Sequence, residues 1–325
     1  MKVLLTGGTG FVGSWTARAV VDAGHQVRYL VRDAARLEPV AAALDLDVSD
    51  HAVGDITDAA AVRTALEGCD GVIHCAGVVA LGPDAAERMS RTNLAGARNV
   101  LGQAVELGLD PVVYVSSLAA VFRPGLARLT ADLPVLGGLD DYGRSKAEVE
   151  TYVRGLQAEG APVATTYPGM VLGPPVGSQL GEGTEGMLKA LRLHVIPGVE
   201  AAWTICDVRD LAAVHAALLE PGRGPSRWAA GGIQVKARDI ARLLRRATGH
   251  RLAYVPVPDA VLRGFGRLSD RLGLPGPMTA AAMEYWTRMP ESDNDPLRDE
   301  LGVEFRDPYV TISDSVAGLR DAGML

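Results

Sequence analysis

Three polar residues in the middle of the chain are of the types that move a proton at a carbonyl group. Tyr142 and Lys146 form a Y-x-x-x-K pair, and residues four apart on a helix share one face. The Lys146 ammonium would lower the pKa of the phenol from its usual ~10, so Tyr142 could give a proton to a carbonyl oxygen or take it back. Ser117 follows an apolar run and could hold that oxygen against the phenol. We therefore predict that Ser117, Tyr142 and Lys146 are catalytic.

A glycine-rich stretch near the start of the chain is suited to binding a phosphate group. It lies between a short apolar run and a helical pattern, as the dinucleotide fingerprint requires. A strand that turns sharply into a helix leaves backbone N–H groups unpaired at the positive end of the helix, where a pyrophosphate can reach them. We therefore predict that this loop holds a dinucleotide. The predicted contacts are Gly7, Gly10, Phe11, Val12 and Gly13.

The residues that close the second apolar run indicate which nicotinamide dinucleotide is bound. Val31 stands where an acidic residue would bond the ribose hydroxyls, and Arg32 follows it. An arginine here accepts the 2′-phosphate of NADP, and Arg36 adds a second positive group. Asp33 is interpreted as the N-cap of the next helix, with ribose binding as the alternative. NADP(H) is therefore favoured, and NAD(H) is the alternative. In the oxidised cofactor, the positive nicotinamide would help to lower the pKa of Tyr142.

The elements that must position these residues alternate along the first half of the chain. Short apolar runs predict strands, and longer patterns between them predict helices, which indicates right-handed βαβ units and an α/β fold with a doubly wound parallel sheet. Residues 1–170 form the predicted dinucleotide-binding core. Residues 171–325 would return strands and helices to that core and form a small substrate-binding lobe. The predicted strands are 3–5, 27–31, Val53 with its neighbours, 72–74, 112–115, 163–167, 203–206 and 226–230. The predicted helices are 14–23, 59–66, 85–107, 142–156, 208–219 and 236–248.

Composition argues against several other classes of protein. The 325 residues are 48% hydrophobic and 22% charged, as in a soluble globular protein. The net charge of −7 argues against nucleic acid or an anionic membrane as the main partner. The cysteines Cys69, Cys75 and Cys206 form no C-x-x-C pair, so we predict neither a disulfide framework nor a metal site. The start does not read as a signal peptide, and no apolar run approaches the ~18–20 residues of a membrane span. A cytoplasmic location is expected.

Together these motifs resemble the extended short-chain dehydrogenase/reductase family, within the NAD-dependent epimerase/dehydratase superfamily. The similarity covers most of the chain and includes Y-P-G-M-V-L-G-P at 167–174 and D-V-R-D-L-A at 207–212, which are typical of the extended branch. V-R-D at 31–33 and V-S-S-L-A-A-V at 115–121 look most like the dihydroflavonol-reductase and 3β-hydroxysteroid-dehydrogenase branch. The resemblance implies a Rossmann fold and an NADP-dependent carbonyl reductase or alcohol dehydrogenase. It also implies a homodimer formed through helices 85–107 and 142–156.

The resemblance extends the expected site beyond the glycine loop. Asp55 would bond the adenine amino group, although it could also cap the helix that follows. Asn93 matches a family asparagine that either bonds a main-chain carbonyl or relays protons, and Tyr167 replaces a common arginine. The implied cofactor contacts are Arg32, Asp55, Ile56, Cys75, Ala76, Gly77, Tyr142, Lys146, Pro168, Gly169 and Val171. The expected substrate contacts are Ser117 and the apolar Val79, Val121, Phe122 and Met170, with Val78, Leu81 and Leu172 beside them, so an apolar carbonyl compound is expected.

Two other functions remain open at this point. A nucleotide-sugar epimerase would use the same three residues to oxidise and re-reduce one carbon, but it would favour NAD, against which Arg32 argues. A non-enzymatic NADP-binding sensor could share the fold, but such proteins usually lose the tyrosine or the lysine.

A stretch near the C-terminus combines apolar and basic residues at helical spacing. Within 256–277, Val261, Leu262, Phe265, Leu268 and Leu272 form an apolar stripe, and Arg263, Arg267 and Arg271 recur on the adjacent face. We interpret the arginines as the solvated edge of a helix that caps the lobe. The alternative is a lid that contacts an anionic substrate or a membrane surface.

Overall fold

The protein is built on one seven-stranded parallel sheet. A computed structural model describes residues 1–79, 83–274 and 278–325. The predicted α/β class is confirmed, and β11, from the C-terminal half, completes the main sheet beside β7. The strands are β1 (Lys2–Thr6), β2 (Gln26–Val31), β3 (His51–Val53), β4 (Gly71–His74), β5 (Val112–Val115), β6 (Arg128–Leu129), β7 (Val163–Pro168), β8 (Met170–Leu172), β9 (Val195–Pro197), β10 (Ala202–Asp207), β11 (Ser226–Ala230), β12 (Ile233–Lys236), β13 (Ala253–Val255) and β14 (Glu291–Ser292).

The order of the strands creates the cleft in which a ligand can lie. The order is β11-β7-β5-β4-β1-β2-β3, so the chain crosses from β3 over β2 and β1 to β4. Ligands of doubly wound sheets bind at the carboxyl ends of the strands where the order reverses, which is here between β1 and β4. Thr6, the last residue of β1, pairs with Leu30 of β2 and His74 of β4, and His74 pairs with Tyr114 of β5. The loops after these strands therefore leave the sheet at one edge.

Helices cover both faces of the sheet and bury its apolar strands. β4 and β5 are buried along their whole length, as expected for strands covered on both sides. On one face α1 packs against α8, and on the other α4 packs against α6. The helices are α1 (Phe11–Asp22), α2 (Glu38–Leu44), α3 (Ala59–Leu66), α4 (Pro83–Ala97), α5 (Gln103–Glu106), α6 (Asp141–Ala158), α7 (Glu182–Leu193), α8 (Val208–Ala217), α9 (Ala237–Thr248), α10 (Asp259–Arg271), α11 (Ala280–Arg288), α12 (Asp295–Leu301) and α13 (Pro308–Asp321).

The predicted helix 85–107 is interrupted in the structure. A π-helical turn, Arg98–Gly102, separates α4 from α5. The Asn99 side chain in this turn donates to the Ile56 carbonyl oxygen at 2.9 Å, and a Cβ on Gly96 would lie 2.4 Å from the Ile56 side chain. These contacts tie the turn to the loop that follows β3. Side-chain periodicity does not report such a tertiary contact, so the sequence predicted one continuous helix.

A further apolar cluster lies among elements from β8 onward, outside the seven-stranded sheet. A three-stranded sheet in the order β12-β10-β8 and the pair β13-β9 carry an apolar cluster with α7, α9 and α13. α10 and α11 pack against each other as a helical hairpin. Within the described part of the chain, no helix is both long and apolar enough to cross a membrane.

Candidate active site

The glycine loop between β1 and α1 has the backbone geometry of a phosphate cradle. Gly7 has a φ of +75°, and the Gly10 N–H donates to its carbonyl oxygen at 2.9 Å. A Cβ on Gly13 would lie 2.2 Å from that same oxygen, so a side chain there would force the turn apart. Gly10 is the N-cap of α1 and offers no side-chain acceptor to the first-turn N–H groups. These donors at the positive helix end fit the pyrophosphate of a dinucleotide.

One end of the cleft is suited to the adenosine half of a dinucleotide. This cavity of about 270 Å³ is lined by Arg32, Arg36, Asp55 and Ile56 together with the glycine loop. Asp33 caps the short helix that follows it by accepting from the Ala35 N–H at 3.0 Å, which confirms its interpretation as an N-cap. Among the described residues, neither arginine has a carboxylate within ion-pair distance. Both guanidinium groups are therefore free to meet a phosphate.

Asp55 does not cap the helix that follows it. Asp58 caps α3 instead, by accepting from the Ala60 and Ala61 N–H groups. The Asp55 carboxylate accepts from the backbone N–H and the hydroxyl of Thr57, and these bonds, with the charge of Arg32, hold its pKa below the usual value. The capping alternative for Asp55 is thus wrong, and its ionised carboxylate lines the adenosine end of the cleft.

The other end of the cleft holds the three predicted catalytic residues. This second cavity, of about 520 Å³, shares Gly7, Gly10, Cys75, Gly77 and Val78 with the first, so the two form one continuous cleft. Every predicted cofactor contact lines one or both cavities. The lining residues of the second cavity also include Phe11, Val12, Gly13, Ser117, Tyr142, Lys146, Pro168, Gly169 and Val171, and Ala76 lines the first.

Local structure fixes the position of each predicted catalytic side chain. Ser117 lies two residues beyond β5 and begins a short 3₁₀ helix, with its hydroxyl accepting from the Ala119 N–H at 3.2 Å. Tyr142 lies in the first turn of α6, which Asp140 caps by accepting from a backbone N–H at 2.7 Å. Lys146 is buried one turn later, and its ammonium donates to the Val115 carbonyl oxygen at 3.1 Å. The end of β5 therefore anchors both Ser117 and Lys146.

The net pKa shift of Tyr142 is opposite in direction to the one predicted. Burial, and secondly the Glu182 carboxylate, raise the pKa of Tyr142 well above its usual value, although a hydrogen bond with Ser117 acts in the other direction. Burial lowers the pKa of Lys146 to about 8, so its ammonium is still the main form at neutral pH. Tyr142 is consequently protonated at neutral pH, which is the form that donates a proton to a carbonyl oxygen.

Glu182 also lines the candidate site, although no sequence pattern predicted it. It is the first residue of α7 and lines the cavity with Ser117 and Tyr142. Its neighbours hold it there: a Cβ on Gly181 would lie 2.4 Å from the Phe11 ring, and one on Gly183 would lie 2.2 Å from the Val171 carbonyl oxygen. Desolvation raises the pKa of Glu182. The only sequence signal is an acid between two glycines, which is too common to indicate a site.

Replacing Glu182 by glutamine is expected to shift the pH dependence of the reaction. Removal of the carboxylate lowers the pKa of Tyr142, because the negative charge opposes ionisation of the phenol. Alcohol oxidation needs the ionised phenol as base, so its rising limb in kcat/KM should move to lower pH. Glu185→Gln, one turn along α7, is the control. A profile unchanged in Glu182→Gln, or shifted equally in both variants, would contradict the assignment.

Tyr167, which replaces the arginine common before Pro168, belongs to a buried polar network. The fully buried Glu150 carboxylate accepts from Ser116 at 3.0 Å, Tyr167 at 2.5 Å and Arg154 at 2.9 Å. Arg154 also donates to the Tyr167 hydroxyl oxygen at 3.0 Å. Arg154 of α6 thus places a positive charge beside the buried Glu150 carboxylate, and Tyr167 does not face the cleft. The network fixes the backbone next to Ser117.

Asn93 has a structural role in this arrangement. Its side-chain amide donates to the Val78 carbonyl oxygen at 3.0 Å and to the Ser145 hydroxyl at 2.9 Å, and its oxygen accepts from the Val78 N–H at 2.7 Å. Every polar atom of the side chain is therefore engaged. The bond to a main-chain carbonyl matches the structural alternative, and it holds the loop after β4 against α6.

The expected substrate contacts divide into two groups. Val78, Val79 and Met170 line the end of the cleft that holds Ser117, Tyr142 and Lys146, which we call the reacting end. Val121 and Phe122 are instead fully buried in a separate apolar cluster with Leu129. The expectation that they contact the substrate is therefore wrong. The physical reason is that the 3₁₀ turn after Ser117 directs the chain into the interior. Leu172 is also buried in the core, and Leu81 lies outside the described residues.

The family model of the NAD dependent epimerase/dehydratase family matches residues 3–231. This range contains every residue that lines the two cavities of the cleft. The chain belongs to this family. The resemblance to the extended short-chain dehydrogenase/reductase family is thereby confirmed. The relatives include a putative dihydroflavonol 4-reductase.

Two curated relatives illustrate the similarity of sequence. The "Sterol demethylase protein B" of Methylococcus capsulatus is 28% identical over 339 residues and covers 100% of both chains. A "Putative dihydroflavonol 4-reductase" of Synechocystis sp. is 30% identical over 252 residues, which covers 75% of this chain and 72% of that protein.

Two solved structures illustrate the similarity of fold. The crystal structure of gox2253 superposes with a TM-score of 0.82 at 26% identity and covers 99% of each chain. The UDP-glucose 4-epimerase of Bifidobacterium longum, in complex with NAD+ and UDP, superposes with a TM-score of 0.75 at 18% identity. It covers 100% of this chain and 99% of the other. These matches confirm the Rossmann architecture.

Proposed function

We propose that this protein is an NADP(H)-dependent oxidoreductase that reduces an apolar ketone or aldehyde, or oxidises the matching alcohol. The observation that carries the proposal is the polarity of the single cleft. Ser117, Tyr142 and Lys146 lie at one end and two arginines without carboxylate partners lie at the other, within the described residues. The protonated phenol is the form that can donate a proton to a carbonyl oxygen at neutral pH.

Ser117, Tyr142 and Lys146 would each have a different role in the reaction. The dinucleotide, when bound, supplies or accepts the hydride. Tyr142 gives its phenolic proton to the carbonyl oxygen in reduction and recovers it in oxidation. The Ser117 hydroxyl holds that oxygen within reach of the phenol. The Lys146 ammonium favours the ionised phenol while it forms, and the Val115 carbonyl oxygen fixes the position of the ammonium.

The charge of the cleft supports a carbonyl reductase over a nucleotide-sugar epimerase. Among the described residues that line the reacting end, Lys146 is the only cation and Glu182 adds a carboxylate. A sugar nucleotide carries a diphosphate, which needs positive partners beyond those that hold the cofactor. Tyr167 supplies none, because it replaces an arginine and is bonded in the interior. An apolar carbonyl compound fits the lining of the reacting end better than a sugar nucleotide does. The putative dihydroflavonol 4-reductase among the relatives supports a carbonyl reductase.

The proposal is tested by following NADPH with a panel of apolar ketones and aldehydes, including steroids and flavonoid-like compounds. Consumption of NADPH with at least one of them, faster than with NADH, is the expected result. Interconversion of UDP-glucose and its epimer without net change in NADPH would favour the epimerase. Tight NADPH binding without turnover, unaltered in Tyr142→Phe, would favour a binding protein.

A further inference from the structure

The outer face of α10 carries an apolar stripe that is turned to solvent. Val261, Phe265, Leu268 and Leu272 follow one another at spacings of 4, 3 and 4 residues and are between 45% and 61% exposed. Leu274, just beyond the helix, is also exposed. Leu262, which the sequence pattern places in the same stripe, instead forms the buried face of the helix with Gly266 and Ser269, and the stripe lies to one side of that face.

The buried face of α10 packs on α11 and, through Leu262, beside Gly198. A Cβ on Gly266 would lie 2.8 Å from the Thr279 carbonyl oxygen and 2.9 Å from the Met283 side chain, so the two helices approach closely. Arg263 donates to the Thr287 hydroxyl at 3.0 Å across the same interface. The hairpin therefore has its own inner contact surface. The exposed stripe is not a consequence of loose packing.

The two acids of α10 are hydrogen-bonded to neighbouring segments, whereas two of its arginines lie beside the stripe. Asp259 accepts from the Val199 and Glu200 N–H groups, and Asp270, although exposed, accepts from the Ala280 N–H at 3.0 Å. Arg267 and Arg271 are exposed on one flank of the stripe, and Arg267 also pairs with the Glu284 carboxylate of α11 at 3.3 Å. Arg271 has no carboxylate within ion-pair distance among the described residues. The outer surface thus combines an apolar stripe with a basic edge.

We propose that this face of α10 is a docking surface for a phospholipid bilayer that contains anionic lipid. An interfacial helix of this kind buries its apolar face among the acyl chains while arginines at the edge reach the headgroup phosphates. The net charge of −7 does not oppose this, because charges beyond about 8 Å are largely screened at physiological ionic strength, so the local basic edge decides. The inference does not depend on the proposed reaction.

The hairpin connects this surface to the reacting end of the cleft. Tyr285 of α11 packs against Phe122 with ring centres 4.8 Å apart. The Tyr285 hydroxyl lies 3.1 Å from where a Cβ on Gly143 would stand, next to Tyr142 in the chain. One layer of side chains therefore separates α11 from the catalytic helix. Docking through α10 would hold that side of the protein at the bilayer surface.

The experiment measures co-flotation of the full chain with vesicles of phosphatidylcholine alone and of phosphatidylcholine mixed with phosphatidylglycerol. We expect partitioning onto the mixed vesicles, and a loss of about tenfold or more in the Phe265→Ser/Leu268→Ser variant. Arg271→Glu should reduce binding to the mixed vesicles. The matched controls are Leu136→Ser/Val310→Ser, which changes exposed apolar side chains elsewhere, and Arg91→Glu on α4. All variants should bind NADPH as the parent does.

Two results would overturn the proposal. One is the absence of binding to either kind of vesicle, or binding that the stripe variant and its control reduce equally. The other is a parent that does not float with vesicles but self-associates by light scattering, and becomes monomeric in Phe265→Ser/Leu268→Ser. That outcome would assign the stripe to a second copy of the chain.

Discussion

Replacement of Tyr142 by phenylalanine is expected to lower kcat by about 10²–10⁴-fold while NADPH affinity changes by about twofold at most. The substitution removes only the hydroxyl that exchanges a proton with the substrate oxygen. The ring, the fold of α6 and the rest of the cleft remain. The measurement pairs steady-state rates on a responsive ketone with NADPH titration by fluorescence.

Tyr152→Phe is the matched control for this result. Tyr152 lies on the same helix, but it packs beside Arg98 of the π-helical turn and does not line the cleft. Its loss should leave kcat close to that of the parent. If Tyr142→Phe retained most of the activity, Tyr142 would not be the proton donor. If it abolished NADPH binding, its effect on the rate would not report proton transfer.

Arg32→Ala is expected to weaken NADPH binding by about 10–100-fold and NADH binding by about twofold at most. The guanidinium lies at the adenosine end of the cleft without a carboxylate partner among the described residues, so a 2′-phosphate would gain a charge-assisted bond there. NADH lacks that phosphate. The double variant Arg32→Ala/Arg36→Ala should bring the two affinities closer still.

Titration of both dinucleotides against each variant measures the discrimination directly. Arg63→Ala, an exposed arginine on α3, is the control for a general loss of positive charge. An equal loss of NADPH and NADH affinity in Arg32→Ala would remove the phosphate assignment. A parent protein that bound NADH more tightly than NADPH would do the same.

The sequence alone was sufficient for the fold and for the main parts of the cleft. Parallel strands joined by helices end at one edge of a sheet, so Gly7, Cys75 and Ser117 must emerge together once the alternation is recognised. The spacing of Tyr142 and Lys146 places both on one face of α6. These predictions depend on local periodicity and chain order, which the sequence carries directly.

Tertiary structure decided the features that depend on packing between distant segments. The glycines around Glu182 bring a carboxylate into the cleft, and burial then sets the direction of the Tyr142 pKa shift. The Phe122 ring lies in the interior, where it packs on Tyr285 of α11. Helical periodicity shows that α10 has an apolar stripe, but it does not show whether the stripe or the neighbouring face is buried. Only the close approach of Gly266 to α11 determines which side of the helix faces solvent.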